Sequence, residues 1–379
     1  MRKAYKYRLY PTKAQVTAMN RSLDACRWVY NQTLEARKTA WEERKESLSY
    51  YTAKRLIPVW KKEHGFLSDA YSQCLQQAAE RVDLAYQAFF KRNKQGQGHP
   101  RFKGWRYYRS FTYTQSGFQV FEDKACVKLS KIGYVRIQLH RPIEGVVKTA
   151  TVSRDRLNRW YISFSCEVEA QPLPATDKVV GVDLGLETFA TFSDGSDPVD
   201  RQRFMKRDEK ALKRMQRRVS AAVKGSPERA RLVKALNHIH ERIANRRRDF
   251  AHKTAKSLID RYQLIVFEDL SVKDMQDGNY RSINRGIADV AWSQFVSLTE
   301  AKAREAGRTV VKVDPRNTTQ ACSGCGKIVR KGLSQRLHNC PHCGLNLSRD
   351  ENAARNILAR GLASLGNHPL EAPGFSRGE

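Results

Sequence analysis

A chain of 379 residues is long enough for two or three domains, each burying its own core. Its 69 Lys and Arg against 39 Asp and Glu leave a formal charge of +30, an excess that repels itself and points to a polyanion, with nucleic acid ahead of an anionic membrane. No apolar run reaches the ~20 residues of a membrane span and MRKAYKYRLYP lacks the apolar core of a signal peptide, so a cytoplasmic, nucleoid-associated protein is expected.

The opening MRKAYKYRLY alternates like a strand. Pro11 and Thr12 then start an amphipathic helix whose inner stripe is Val16, Met19, Leu23, Cys26 and Tyr30. A second helix is predicted over about Ser68 to Phe90, with Leu75, Ala78, Val82, Ala85 and Phe89 facing inward. It ends in the basic, glycine-rich KRNKQGQGHPRFKG, where Arg101 and Lys103, with Arg106 just beyond, are candidate phosphate contacts. From Trp105 to Val168, SFTYTQ, FQVFED, ACVKLS, YVRIQL, KTATVSRD and WYISFSCEVE predict an antiparallel sheet or barrel. The first strand belongs with them, and the helices of residues 11–100 are inserted between.

QPLPATD (171–177) reads as a linker into a mixed α and β region. KVVGVDLG and TFATFSDGS are strands, and residues 201–250 form a helical pair broken at Gly225-Ser226-Pro227. That pair carries seventeen Lys/Arg against five Asp/Glu, too one-sided for pairing along the helix, so Arg246, Arg247 and Arg248 are candidate nucleic-acid contacts. QLIVFED is a buried strand, DVAWSQFVSLTEAKAREAG one amphipathic helix, and RTVVKVDP another strand. The tail beyond Leu365 reads as disordered.

Cys26, Cys74, Cys126 and Cys166 sit inside apolar patterns and read as reduced, buried thiols. Cys322, Cys325, Cys340 and Cys343 differ. They form two C-x-x-C knuckles fourteen residues apart, each followed by glycine, and four thiolates suit a closed, structural Zn²⁺ site. His338 and His342 lie nearby, but four cysteines already complete the shell.

Three acidic positions stand out. Asp183 lies within VVGVDLGL, where a carboxylate costs several kcal/mol unless a cation or hydrogen bonds compensate. Glu268 and Asp269 follow LIVF, and alternation alone leaves open which of them shares a face with Asp183. Asp350 opens the last helix between Ser348 and Glu351, an S-x-x-E capping box that would account for an acid without any metal. Together, carboxylates on two strands and a helix start can converge on two Mg²⁺ ions, an arrangement that promotes phosphodiester cleavage.

GVDLGLETFATFSDG, IHERIANRRRDFAHKTAKSLIDRY, LIVFEDL, TTQACSGCG, CPHCG and RDENAARNIL occur in the order and register of the transposon-encoded TnpB proteins, relatives of type V CRISPR effectors. YRLYPTKAQ, RWVYN and HPRFKG resemble the same family, so the likeness covers nearly the whole chain. The resemblance implies a multidomain α+β and α/β protein. Residues 1–10 and 101–170 would form a wedge-like β-barrel domain and 11–100 an inserted helical recognition domain. An RNase H-like (RuvC) nuclease domain would cover 177–316 and 346–365, interrupted by a zinc-binding insertion at 317–345, with 366–379 a disordered tail. It also implies Asp183, Glu268 and Asp350 as catalytic Mg²⁺ ligands, a guide RNA from the transposon end, and cleavage of double-stranded DNA beside a short motif, in a bacterial or archaeal cytoplasm. A nuclease-inactive repressor and a transposase of the same fold are the alternatives. Ser348 stands where family members often carry another acid.

Overall fold

Alternating burial along strand β1 (Arg2–Tyr10) sends Tyr5, Tyr7 and Leu9 inward, while Lys6 and Arg8 lie over the Tyr161 ring on the other side at 4.4 and 5.1 Å. The computed structural model describes residues 1–91, 98–277, 280–332 and 334–366, and the chain divides into two units, Met1–Glu169 and Ala170 onward. The expected tail, 366–379, lies outside the described residues except Gly366, as does part of the glycine-rich loop.

In the first unit, β1 is followed by helices α1 (Lys13–Arg44), α2 (Tyr50–Glu63) and α3 (Ser72–Lys91). Thr12 and Gln15 form a reciprocal capping box at 3.3 and 3.0 Å, which fixes the start of α1. Helix α2 has no counterpart among the sequence expectations. Only Ala53 and Ile57 of it are buried, too thin a stripe to register as periodicity, and Pro58 interrupts it.

Strands β2 (Ser110–Tyr113), β3 (Phe118–Phe121), β4 (Cys126–Leu129), β5 (Gly133–Gln138), β6 (Val146–Arg154) and β7 (Trp160–Glu167) complete an antiparallel sheet ordered β2-β6-β7-β1-β5-β4-β3. Hydrogen bonding among the described strands ends at β2 and β3, so the expected barrel is an open seven-stranded sheet. One apolar cluster joins the sheet to α1, α2 and α3. Within it Cys26, Cys74 and Cys166 are buried free thiols, while Cys126 is only half-buried; burial pushes the Cys26 thiol up to about 12.

The second unit is built on β8 (Val179–Asp183), β9 (Thr188–Phe192), β10 (Val199–Asp200), β11 (Leu264–Glu268) and β12 (Thr309–Val313), ordered β10-β9-β8-β11-β12. The first three strands run antiparallel, and β8, β11 and β12 run parallel. Helices α4 (Phe204–Ala221) and α5 (Pro227–Arg261) form the basic hairpin, with Ser226 capping α5. Helices α6 (Val272–Gln276), α7 (Arg281–Val290) and α8 (Trp292–Ala306) follow β11. The single helix expected here breaks at Ala291, whose φ of 55° is left-handed, so the apolar stripe continues in composition while the axis turns.

Side-chain alternation divides the sheet's faces. Val180, Val182, Ile265 and Phe267 pack with residues of α5 and α8, including Phe295 at 5.8 Å from the Phe267 ring. Leu264 and Val266 on the other face pack with the last helix, α9 (Arg349–Gly366). Two glycines permit this approach. A Cβ on Gly181 would lie 2.2 Å from the Ala354 carbonyl, and one on Gly361 2.4 Å from a Val266 methyl. A short hairpin, β13 (Leu337–Asn339) with β14 (Asn346–Ser348), leads into α9. No helix of the described residues is long and apolar enough to cross a membrane.

Candidate functional site

Parallel pairing of β8 with β11 runs Val180–Ile265, Gly181–Val266, Val182–Phe267. The next step sets Asp183 beside Glu268, and residues at one level of adjacent strands share a face. Val182 and Phe267 face α5 and α8, so Asp183 and Glu268 face α9, whose first turn carries Asp350. Glu268 is 9% exposed, whereas Asp269 is exposed and sends its amide to Val313 O at 2.8 Å. Register thus distinguishes the two acids where alternation along one strand could not.

The electrostatics match this convergence. Burial first, then the charges of Glu268 and Asp350, raise the Asp183 carboxyl well above its ordinary range, against a partial offset from Arg349. Burial likewise raises Glu268, opposed by a hydrogen bond from Thr318 and the charge of Arg360. The Arg349 guanidinium lies 3.5 Å from the Asp350 carboxylate. Ser348 Oγ accepts the Glu351 amide at 3.0 Å, but the expected capping box is half formed, because the Glu351 carboxylate pairs with Arg355 at 2.7 Å. An all-oxygen, mutually repelling donor set is chemically suited to a hard divalent cation.

The cysteine knuckles are built alike. Gly326 N donates to Cys322 O and Gly344 N to Cys340 O at 2.8 and 3.0 Å, and both glycines adopt φ of +74°. All four sulfurs lie within 4.8 Å of one another, with Cys322–Cys343 and Cys325–Cys340 both at 3.6 Å. A tetrahedral site with Zn–S of about 2.3 Å asks for S···S of about 3.8 Å, so the set fits zinc. Against the cost of burial, amide donors from His342 and Cys343 hold the Cys340 thiol down at about 6. His338 is buried and is not one of this set, with Lys331 Nζ 2.5 Å from its Nδ1. Among the described residues this is the one close cluster of such ligands; the three carboxylates are not drawn so tightly together.

Helix α9 also fastens the cysteine module. Asn352 accepts the Ser323 amide at 2.9 Å and donates to Ala321 O at 2.8 Å, while Asn356 donates to Thr318 O and Ala321 O at 2.8 and 2.7 Å. Sequence reasoning misses Thr318, Asn352 and Asn356, since neutral side chains carry no charge or spacing signal.

The basic candidates divide. Arg246 binds the buried Asp208 at 2.8 Å, and Arg247 binds Asp289 through its side chain and carbonyl, both at 2.9 Å, so these two brace α5 against α4 and α7. Arg248 is exposed. In the first unit Arg101, Lys103 and Arg106 are all exposed, and Asn31 clamps the Lys103 backbone with bonds of 2.9 and 3.1 Å. Phe102, Trp105 and Tyr107 stand open among them, with Arg106 over the Trp105 ring at 5.1 Å, a combination suited to stacking and phosphate contact.

A seven-stranded antiparallel sheet with helices set into it, and a mixed sheet leading through a four-cysteine module to α9, define a two-unit protein of mixed α and β structure. The Cas12f1–sgRNA–target DNA complex solved by cryo-EM shares this fold, with a TM-score of 0.60 at 14% identity over 91% of this chain and 82% of that one. Family models match residues 163–279 (OrfB_IS605, "Probable transposase"), 292–357 ("Cas12f1-like, TNB domain") and 1–46 ("Helix-turn-helix domain"). The last segment folds here as β1 and the single helix α1. Two relatives named "Putative RNA-guided DNA endonuclease" are similar along their length. That of Streptomyces pristinaespiralis is 37% identical over 96% of this chain and 90% of its own. That of Escherichia coli K12 is 34% identical over 96% and 93%. The chain belongs to the TnpB family, the OrfB proteins of IS605-type insertion sequences.

Proposed function

We propose that this protein is an RNA-guided DNA endonuclease that hydrolyses phosphodiester bonds with Mg²⁺ held by Asp183, Glu268 and Asp350. The observation that carries the reading is the shared face: neighbouring positions on β8 and β11, covered by the helix whose first turn bears the third acid. The names of the two full-length relatives supply the guide and the substrate. In this reading the second unit is an RNase H-like (RuvC) nuclease domain interrupted by a structural zinc ribbon at 317–345. The first unit is a wedge-like sheet (1–10 and 101–170) with a helical recognition insertion (11–100). The partners are a guide RNA from the transposon end and double-stranded target DNA bearing a short flanking motif, met in the cytoplasm.

Asp183, Glu268 and Asp350 would hold a pair of divalent ions at this face, and the chemistry these would supply is activation of the attacking water and stabilisation of the leaving oxygen of the phosphodiester. The chain's own part is to aim three carboxylates at one face. Strand pairing fixes Asp183 and Glu268, Thr318 bonds Glu268, and the close packing of α9 over Gly181 fixes Asp350. Exposed Arg101, Lys103, Arg106 and Arg248 would neutralise backbone phosphates, a sequence-independent attraction that falls with salt.

The test is substitution of Asp183, Glu268 and Asp350 singly by Ala, with RNA retention and DNA cleavage measured on the same preparations. Each variant is expected to keep its RNA and lose cleavage. Undiminished cutting by any of them removes that residue from the centre.

A further inference from the structure

Thr318 is 2% exposed and stands between the four-cysteine module and the carboxylate face. Its hydroxyl meets Glu268 Oε1 at 2.5 Å and the Pro315 carbonyl at 3.0 Å. Its own carbonyl accepts from Asn356 at 2.8 Å, and Asn356 and Asn352 both hold Ala321 O next to the first zinc cysteine. Thr318, the base of the first knuckle and the body of α9 are therefore one hydrogen-bonded block, and α9 carries Asp350.

A glutamate at a strand end has three side-chain torsions to fix before both carboxylate oxygens aim in one direction. The backbone register sets where the Glu268 side chain leaves the sheet, not where its head turns. The Thr318 hydroxyl bonds directly to that head, inside protein where such a bond is strong. We propose that Thr318 is a positioning residue: its hydroxyl fixes the Glu268 carboxylate toward the face shared with Asp183 and Asp350, and the four-cysteine module holds Thr318 in place to do so. The zinc module then has a role at the hydrolytic centre besides any contact with nucleic acid. This rests on the reading of Glu268 as a metal ligand.

The test compares full-length, zinc-loaded, RNA-free protein as wild type, Thr318→Val, Thr318→Ser and Glu268→Gln. Mn²⁺ is the probe, and free ion is counted by electron paramagnetic resonance; zinc content and thermal unfolding are read on every sample. Thr318→Val keeps the volume and loses the hydroxyl, and is expected to weaken the tightest Mn²⁺ site by about 10- to 100-fold, as loss of a ligand's supporting hydrogen bond does. Thr318→Ser is expected to restore wild-type affinity, which a purely structural role for the side chain's methyl would not produce. In DNA cleavage by the RNA-loaded protein, Thr318→Val should raise the Mg²⁺ concentration for half-maximal rate and recover at high Mg²⁺. Should the valine variant lose its zinc or its cooperative unfolding, Thr318→Ala replaces it in the same comparison. Wild-type Mn²⁺ affinity in a folded hydroxyl-lacking variant, with the site lost in Glu268→Gln, overturns the role of Thr318 and leaves the ligand reading standing. Wild-type affinity in Glu268→Gln removes the ligand reading itself.

Discussion

Asp183→Asn should make the Mg²⁺-free protein more stable while abolishing cleavage. Adjacent strands are about 4.8 Å apart, so ionised Asp183 and Glu268 at one level repel by about 3 kcal/mol at an effective dielectric of ~20. Burial of the Asp183 charge adds to this cost, while Arg349 beside Asp183, and Thr318 and Arg360 at Glu268, offset part of it, leaving about 1–2 kcal/mol for the amide to relieve. For a unit of this size that is a rise in Tm of roughly 2–8 °C. The pH dependence has a fixed sign. The folded Asp183 carboxyl is raised, so the folded state holds its proton longer than the unfolded chain, and the wild type loses stability as pH climbs from about 4 through the raised value. The advantage of the Asp183→Asn variant should therefore be absent at a pH of about 4, grow as pH rises and then level off. Differential scanning calorimetry of zinc-loaded protein, with and without Mg²⁺, reads this directly. Mg²⁺ is expected to stabilise the wild type and leave the variant unmoved. A variant that melts below the wild type without Mg²⁺ at neutral pH, or gains as much from Mg²⁺, refutes the convergence of the carboxylates.

Other parts of the structure carry three further expectations. Cys322→Ser and Cys340→Ser should each purify with less than stoichiometric zinc by elemental analysis and unfold at lower temperature, because metal binding and folding of such a module are one equilibrium. Gly181→Ala drives a methyl into the backbone of α9, which cannot yield as a side-chain tip can. A loss of about 1–3 kcal/mol and slower cleavage are expected, seen by denaturant unfolding and a cleavage time course. Arg248→Ala should reduce the salt slope of nucleic-acid binding by about 1 with unfolding unchanged. Arg247→Ala, which leaves the buried Asp289 without its guanidinium, should instead cost about 3 kcal/mol of stability and leave the slope nearly intact.

Much of the strand content was legible because β2 to β7 alternate or run apolar between turns, and β8, β11 and β12 are short apolar runs. Helix α2 was not, having only two buried residues to announce it. The turn at Ala291 was hidden because a left-handed alanine has no compositional mark. The openness of the first sheet depends on which strands pair, a non-local fact. At the candidate site, Asp183 was conspicuous as an acid among Val and Leu; alternation left Glu268 and Asp269 open, the family resemblance implied Glu268, and the cross-strand register puts Glu268 on the face of Asp183. Charge counting within α5 also does not see the partners of its arginine run: Asp208 and Asp289, 38 and 42 positions from their arginines, pair with two of the three. Thr318 was invisible for the same reason, its partner being 50 positions away.

The most direct test joins guide, metal and site in one reaction. Protein purified with its bound RNA, which is sequenced, is incubated with duplex DNA matching the RNA's variable end and flanked by randomised sequence. Cleavage is read by sequencing the ends, with and without Mg²⁺, for wild type and Asp183→Ala. The expected result is Mg²⁺-dependent double-strand cutting of the matching duplex beside one short enriched motif by the wild type, and none by the variant. Equal cutting of unmatched DNA, or equal cutting by Asp183→Ala, would contradict the account.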